Sequence, residues 1–245
     1  MRELRARLGP GGRVVARQLA DLALAPGFGS INAGSSPGSA ALTFDDGPDP
    51  GTTPLILRAL EGAGARATYF LLVSQAERHP ELVREIRDSG HEIALHGFDH
   101  TPLPSLPHRA AVRVLNEARL RLEDVAQVRV SYYRPPYGKQ TPTSWLAARR
   151  AGLEVVVWSA DAADWEDLEL LEHVDQAFAR LTEGGILLLH ERLEPGPDGS
   201  PVFASVDRAA LTTAILDELE IRRLSAVTVS ELVEGGAVRT AWFRR

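Results

Sequence analysis

Ala41-Leu42-Thr43-Phe44-Asp45-Asp46-Gly47-Pro48 is the stretch from which the rest of the chain is read. Ala40–Phe44 has the apolar, β-rich composition of a buried strand, and the run breaks at once into two adjacent carboxylates followed by Gly47 and Pro48. Asp-Gly-Pro is ordinary turn chemistry. Two acids side by side at a strand's C-terminal end repel one another, however, and invite a metal ion or an arginine against them.

Outward from this octet, strands and helices alternate. Thr53-Pro54 reads as an N-cap and first helical proline, with Leu55–Leu60 carrying an apolar face up to Gly62 and Gly64. Predicted strands follow at Ala67–Val73, His91–Leu95, Val128–Tyr133, Leu153–Trp158, Gly185–Leu189 and Ala226–Val229. Helices are predicted over Glu81–Asp88, Pro107–Ala126, from Thr141-Pro142 to Gly152, Leu171–Leu181 and Leu211–Ile221. About seven such alternations, with strands apolar along their length, predict an α/β fold whose largely parallel sheet is covered on both sides, as a barrel or an open sheet. The spacing divides the chain into an N-terminal lead-in and Gly/Ser-rich linker over 1–38, a domain over 39–235 and a tail over 236–245.

Composition narrows the partners. The chain has 245 residues, 44% of them hydrophobic, enough for one large core, and a net charge of -6 gives no overall attraction to nucleic acid or anionic lipid. There is no cysteine, so a metal must be held by His, Asp or Glu. No run reaches the length of a transmembrane helix, and Asp21 interrupts the short apolar stretch Leu19–Ala25 that follows Arg2–Arg17, so no convincing signal peptide is read; a cytoplasmic location is the default expectation, with the cell envelope or secretion as the alternative. Oligomeric state leaves no mark.

In parallel α/β folds functional groups collect at the C-terminal ends of strands. Those ends here carry Asp45-Asp46, His96-Gly97-Phe98-Asp99-His100, Arg134-Pro135-Pro136-Tyr137-Gly138, Asp161-Ala162-Ala163-Asp164-Trp165 and His190-Glu191. The His96/His100 spacing lets two imidazoles meet one cation and, with a carboxylate, leaves positions open for water. Asp99 reads as a solvated loop residue; His79, His91, His108 and His173 read as structural, and Trp145, Trp158 and Trp242 as packing residues, with Trp158 nearest the site.

Taken in order, Thr43-Phe44-Asp45-Asp46-Gly47-Pro48, His96-x-x-x-His100, Arg134-Pro135-Pro136-Tyr137-Gly138, Asp161-x-x-Asp164-Trp165 and Leu188-Leu189-His190 resemble carbohydrate esterase family 4, the NodB-homology polysaccharide deacetylases, from about Ala40 to about Val233. The resemblance implies a distorted (β/α) barrel of about seven parallel strands, a divalent metal, most often zinc, and hydrolytic removal of N-acetyl or O-acetyl groups from an acetylated carbohydrate, with metal-bound water as nucleophile. It implies Asp46, His96 and His100 as metal ligands, Asp45 as general base and His190 as general acid. By the same resemblance Asp164 orients His190, Arg134 pairs with Asp45, the Tyr137 backbone N–H faces the oxyanion, and Trp165 and Leu188 wall the acetyl pocket. A cyclic amide or imide substrate, or a carbohydrate-binding relative without catalysis, are the alternatives; retention of Asp45 and His190 speaks against the second. Loops Thr101–Pro107 and Arg192–Ser205 are expected to line the substrate groove. One position departs from the pattern: Gly97 stands where the family commonly has a Ser or Thr hydroxyl that steadies the metal loop.

Overall fold

A computed structural model of the chain describes residues 29–196, 198–200, 202 and 204–241. The lead-in Arg2–Arg17, the stretch Leu19–Ala25 and Trp242 lie outside these residues. In chain order the elements are β1 Ser30–Gly34, β2 Ser39–Asp45, α1 Thr53–Gly62, β3 Thr68–Leu72, α2 Val73–Ala76, α3 Pro80–Asp88, β4 Glu92–Gly97, α4 His108–Ala126, β5 Tyr132–Tyr133, α5 Pro142–Arg150, β6 Glu154–Val155, β7 Ala160–Asp161, α6 Leu170–Phe178, β8 Ile186–His190, α7 Arg208–Ile221, β9 Ser225–Val227, α8 Val229–Val233 and β10 Ala237–Thr240.

The main sheet runs β6-β5-β4-β3-β2-β8-β7 and curls into a half-barrel with helices outside it. Every pairing in it is parallel. Strand β2, buried at all seven positions, is the axis: β8 pairs along one side over Ala41–Asp45, while β9 and β3 share the other, over Ser39–Ala41 and Thr43–Asp45 respectively. Since side chains alternate along a strand, the two faces of this sheet feed two cores. Leu42, Phe44, Tyr69, Leu71, Ile93, Leu95, Leu187 and Leu189 point outward beneath the helices. Ala41, Phe70, Ala94, Tyr132, Val156 and Ile186 point inward and fill the barrel's lower half.

That inward column changes character as it rises. Two residues on from the apolar layer, the same faces carry Thr43 and then Asp45 on β2, His96 on β4, Arg134 beyond β5, and Leu188 and then His190 on β8. The floor is apolar and packed; the rim is polar.

Four local expectations are corrected. The predicted flexible connection over Gly27–Ser39 contains β1, which pairs antiparallel with β10 inside the expected tail, and whose Ile31, 2% exposed, plugs the barrel beside Val156 and Ile186. Of the expected strand Leu153–Trp158 only Glu154–Val155 forms a strand, β6, and an unpredicted short strand, β7, follows at Ala160–Asp161 on the opposite border of the sheet. The chain between them opens the barrel, and the gap is spanned when Val157 N–H donates to Ile31 O at 2.7 Å. Of the predicted strand Val128–Tyr133, only Tyr132–Tyr133 pairs. Finally, Thr53 begins α1 but does not cap it: the helix has no side-chain cap, and the Thr53 hydroxyl bonds elsewhere.

Candidate active site

The strand-end residues singled out in the sequence meet at the barrel rim. Asp45 closes β2, Asp46 follows with φ 72°, His96 lies on β4, and His100, φ 63°, ends the loop beyond it. With Tyr137 (φ 55°) and Ala163 (φ 48°), four non-glycine residues around the site hold left-handed backbone, a cost of order 1–3 kcal/mol each that the surrounding packing sustains.

Asp46, His96 and His100 each offer a ligand atom, and these atoms lie within 4.8 Å of one another. Both imidazole Nε2 atoms are 3.4 Å from Asp46 Oδ1. His96 Nδ1 is 2.9 Å from the Arg134 carbonyl, so this nitrogen carries the hydrogen and Nε2 presents its lone pair inward. Burial drives both imidazoles toward the neutral form; His100, with His96 adding to the effect, is pushed down to about 2. Asp46 Oδ1 receives no hydrogen bond among the described residues. Burial, aided by Asp45 and Glu194 and opposed by His190, pushes the Asp46 carboxyl up to about 7. Two imidazoles driven neutral thus converge on a carboxylate oxygen that no hydrogen bond satisfies. That arrangement fits a cation.

Arg134 is fully buried. Its Nη1 donates to Asp45 Oδ1 at 2.7 Å and to Thr43 Oγ1 at 2.8 Å, and its guanidinium lies 4.0 Å from the Phe70 ring centroid and 5.8 Å from that of Trp158. Burial raises the Asp45 pKa, and Arg134 offsets part of the rise by charge and hydrogen bond. On the opposite wall, His190 Nδ1 is 2.7 Å from Asp164 Oδ1, and the His190 backbone N–H donates to Asp164 Oδ2 at 2.8 Å. Burial opposes a charged His190, yet Asp164 outweighs it and raises the pKa to about 9; Asp164 is correspondingly lowered. Trp165 meets His190 edge-on, centroids 5.6 Å apart, and Leu188 sits below His190 on the same face of β8. Tyr137 packs against His100 at 4.2 Å, and its hydroxyl donates to Pro195 O at 2.6 Å.

Every residue predicted for the site is therefore at the rim. Asp99 is exposed, and His91, His108 and His173 spend a ring nitrogen on backbone groups. Sequence reasoning missed Thr43, although it lies two residues before Asp45 and so on the same face, and Glu194, whose N–H reaches Asp46 Oδ2 at 3.3 Å from a loop with no readable signal. It set Glu191 at a strand end without giving it a role; the residue is 0% exposed directly after His190, and burial pushes its carboxyl up to about 8 against the Thr53 hydrogen bond. The loops expected to line the groove bound two separate clefts, Thr101, Leu103 and Leu106 one of about 350 Å³ and Arg192, Val202 and Ser205 one of about 640 Å³.

Fold and site together define a class: curled parallel α/β barrels with a carboxylate and two imidazoles gathered at the strand ends. The polysaccharide deacetylase sequence profile matches residues 32–156. The chain belongs to the polysaccharide deacetylase family. It is similar to the peptidoglycan-N-acetylmuramic acid deacetylase PdaC of Bacillus subtilis, 29% identical over 194 residues covering 79% of this chain but only 38% of that protein. A chitooligosaccharide deacetylase of Sinorhizobium fredii is 34% identical over 163 residues, 66% of this chain and 76% of that one. Among solved structures, PdaC of B. subtilis superposes with a TM-score of 0.69 at 28% identity, over 80% of this chain and 90% of that chain. A family 4 carbohydrate esterase from Streptomyces lividans in complex with acetate gives 0.70 at 28% identity, over 82% and 97%.

Proposed function

We propose that this chain is a metal-dependent hydrolase that removes acetyl groups, N-linked or O-linked, from a polysaccharide or oligosaccharide. The observation that carries the proposal is the buried triad Asp46, His96 and His100, flanked on one side by the Asp45–Arg134 pair and on the other by the Asp164–His190 pair. The relatives named for peptidoglycan and chitooligosaccharides make acetylated amino-sugar polymers, including those of the cell envelope, the first substrates to test.

Asp46, His96 and His100 would hold the divalent cation, and a set of two nitrogens and one oxygen suits zinc. When bound, it supplies Lewis acidity, acidifying water and polarising an acyl oxygen. Asp45 accepts the proton lost as water attacks. Its Oδ1 is engaged by Arg134, so the basic atom is Oδ2, the oxygen on the His96 side at 3.7 Å. The Tyr137 backbone N–H serves the developing oxyanion, held in place by the rigid Pro135-Pro136 segment. His190 returns a proton to the leaving nitrogen or oxygen: Nδ1 is committed to Asp164, so Nε2 is the donating atom, and a pKa near 9 keeps it protonated at neutral pH. Trp165 and Leu188 form the apolar wall for the acetyl methyl.

Zinc-loaded protein incubated with N-acetylglucosamine oligomers, peptidoglycan fragments, acetylated xylan and a cyclic amide, scored for acetate or ring opening, tests this reading. Acetate release from a saccharide is expected. Asp46→Ala and His100→Ala should lose metal and activity together, whereas His190→Ala should keep the metal and lose about 10²–10⁴ in rate. Metal retained by the ligand variants, or turnover of the cyclic amide alone, would overturn it.

A further inference from the structure

Glu191 follows His190 at the end of β8 and is 0% exposed, although glutamate is rarely buried without a charged partner. Its carboxyl takes a hydroxyl instead: Thr53 Oγ1 donates to Oε1. The same Thr53 oxygen accepts the Asp49 N–H at 2.8 Å. Thr53 is the first residue of α1, and Thr52, at the cap position before it, makes no side-chain cap bond to the helix. Two more bonds bind the backbone of Glu191 to the other side of the site. Glu191 N–H donates to Asp45 O at 3.0 Å, and Thr52 Oγ1 donates to Glu191 O at 2.5 Å.

The second carboxyl oxygen, Oε2, lies against the turn after the two aspartates. A Cβ placed on Gly47 would stand 1.6 Å from it, so Gly47 is a glycine because Glu191 is beneath it. Among the described residues Oε2 has no hydrogen-bond partner. A buried oxygen left unpaired costs about 1–3 kcal/mol, which a plain apolar side chain would avoid. The carboxyl therefore does something that packing alone does not require.

We propose that Glu191 is a positioning residue that ties the Asp45–Gly47 turn and the start of α1 to the strand bearing His190, and so sets the distance between the two sides of the site. The kinetic part of this proposal rests on the hydrolytic reading above; the metal-binding part rests only on the triad Asp46, His96 and His100 as the cation site. Thr53 is the second half of the clamp.

The experiment compares Glu191→Ala, Glu191→Gln, Thr53→Val and the Ala/Val double variant, measuring zinc affinity by competition with a chromophoric chelator, and kcat and KM separately on whichever saccharide the wild-type protein deacetylates. Glu191→Ala is expected to weaken zinc binding and lower kcat by about 10–100-fold, as loss of a group supporting metal ligands does, with KM little changed. Glu191→Gln, whose amide oxygen still accepts from Thr53, should recover most of both. Thr53→Val should move both quantities in the same direction, and the double variant should be no worse than Glu191→Ala, because the two residues act through one contact. Wild-type zinc affinity in Glu191→Ala with only a lowered melting temperature would overturn the proposal, as would Glu191→Gln behaving like Ala. Should Glu191→Ala not fold, an unchanged zinc affinity in Thr53→Val overturns it equally. If the wild-type protein releases no acetate from any saccharide, the functional reading fails while the zinc affinities still decide the role of Glu191.

Discussion

At the scale of single residues the site works by opposing burial and charge. His190 illustrates the balance: removal from water alone would neutralise it, and the 2.7 Å bond to Asp164 reverses the outcome and brings the pKa to about 9. Asp164→Asn removes the negative charge, so the His190 pKa should fall and the alkaline limb of the pH–rate profile should move to lower pH; an unmoved limb would contradict the pairing. The sign for stability follows from the same shift. A histidine whose pKa is raised by folding adds stability below its unfolded value near 6.5 and loses it as pH rises through about 9. Gly97 is the other instructive residue. It adopts φ 115°, which side-chain-bearing residues rarely do, and His100 Nδ1 is buried with no partner among the described residues. Restoring the family's hydroxyl by Gly97→Ser is therefore expected to strain the metal loop by about 1 kcal/mol or more rather than steady it. Chemical denaturation and a zinc titration of the variant would check this; tighter zinc binding without loss of stability would refute it.

At the scale of elements, each strand carries its site residue by alternation from the apolar floor. Ala41, Thr43 and Asp45 share one face of β2, as Ile186, Leu188 and His190 share one face of β8, so a firm floor is what aligns the rim. Strand β1 belongs to that floor. Ile31 fills the opening between β6 and β7, packed on Val156 and Ile186, and Ile31→Ala should cost about 2–5 kcal/mol measured by urea unfolding, since little nearby can collapse into the gap. A loss under 1 kcal/mol would mean that the plug is dispensable. Elements long enough to show a period were legible from residues alone: α4 is found over His108–Ala126 where Pro107–Ala126 was predicted. β1, β7 and β10 were not, because strands of two to five residues with a Gly-, Ser- or Ala-rich composition carry no periodic signal, and their pairing partners lie far along the chain.

For the molecule as a whole, Asp45 has Arg134 against it, whereas no arginine pairs with Asp46 among the described residues, and the rim is short of positive charge there. Two buried acids stand side by side and their pKa values are raised, so a cation that binds only the folded chain should raise its stability, by about 2.7 kcal/mol at a free concentration one hundred times Kd. Calorimetry with and without a chelator reads this directly: the melting temperature should fall on chelation and return with zinc, and Asp46→Ala should abolish the dependence. The Asp46 carboxyl would then be held ionised at neutral pH rather than half-protonated.

The amino-acid sequence by itself determined that Asp45, Asp46, His96, His100, Arg134, Asp164 and His190 would stand at strand ends, because a parallel sheet obliges polar breaks in apolar runs to gather on one rim. It determined the alternation of elements for the same reason: burial on both faces writes long apolar strands and amphipathic helices into the chain. What only the tertiary structure decided is how those groups are held. Glu191 under Gly47, Thr53 on Glu191, Glu194 on Asp46 and Ile31 in the gap between β6 and β7 join residues far apart in the chain. Such contacts arise from packing in three dimensions, which leaves no fixed interval along the chain to read.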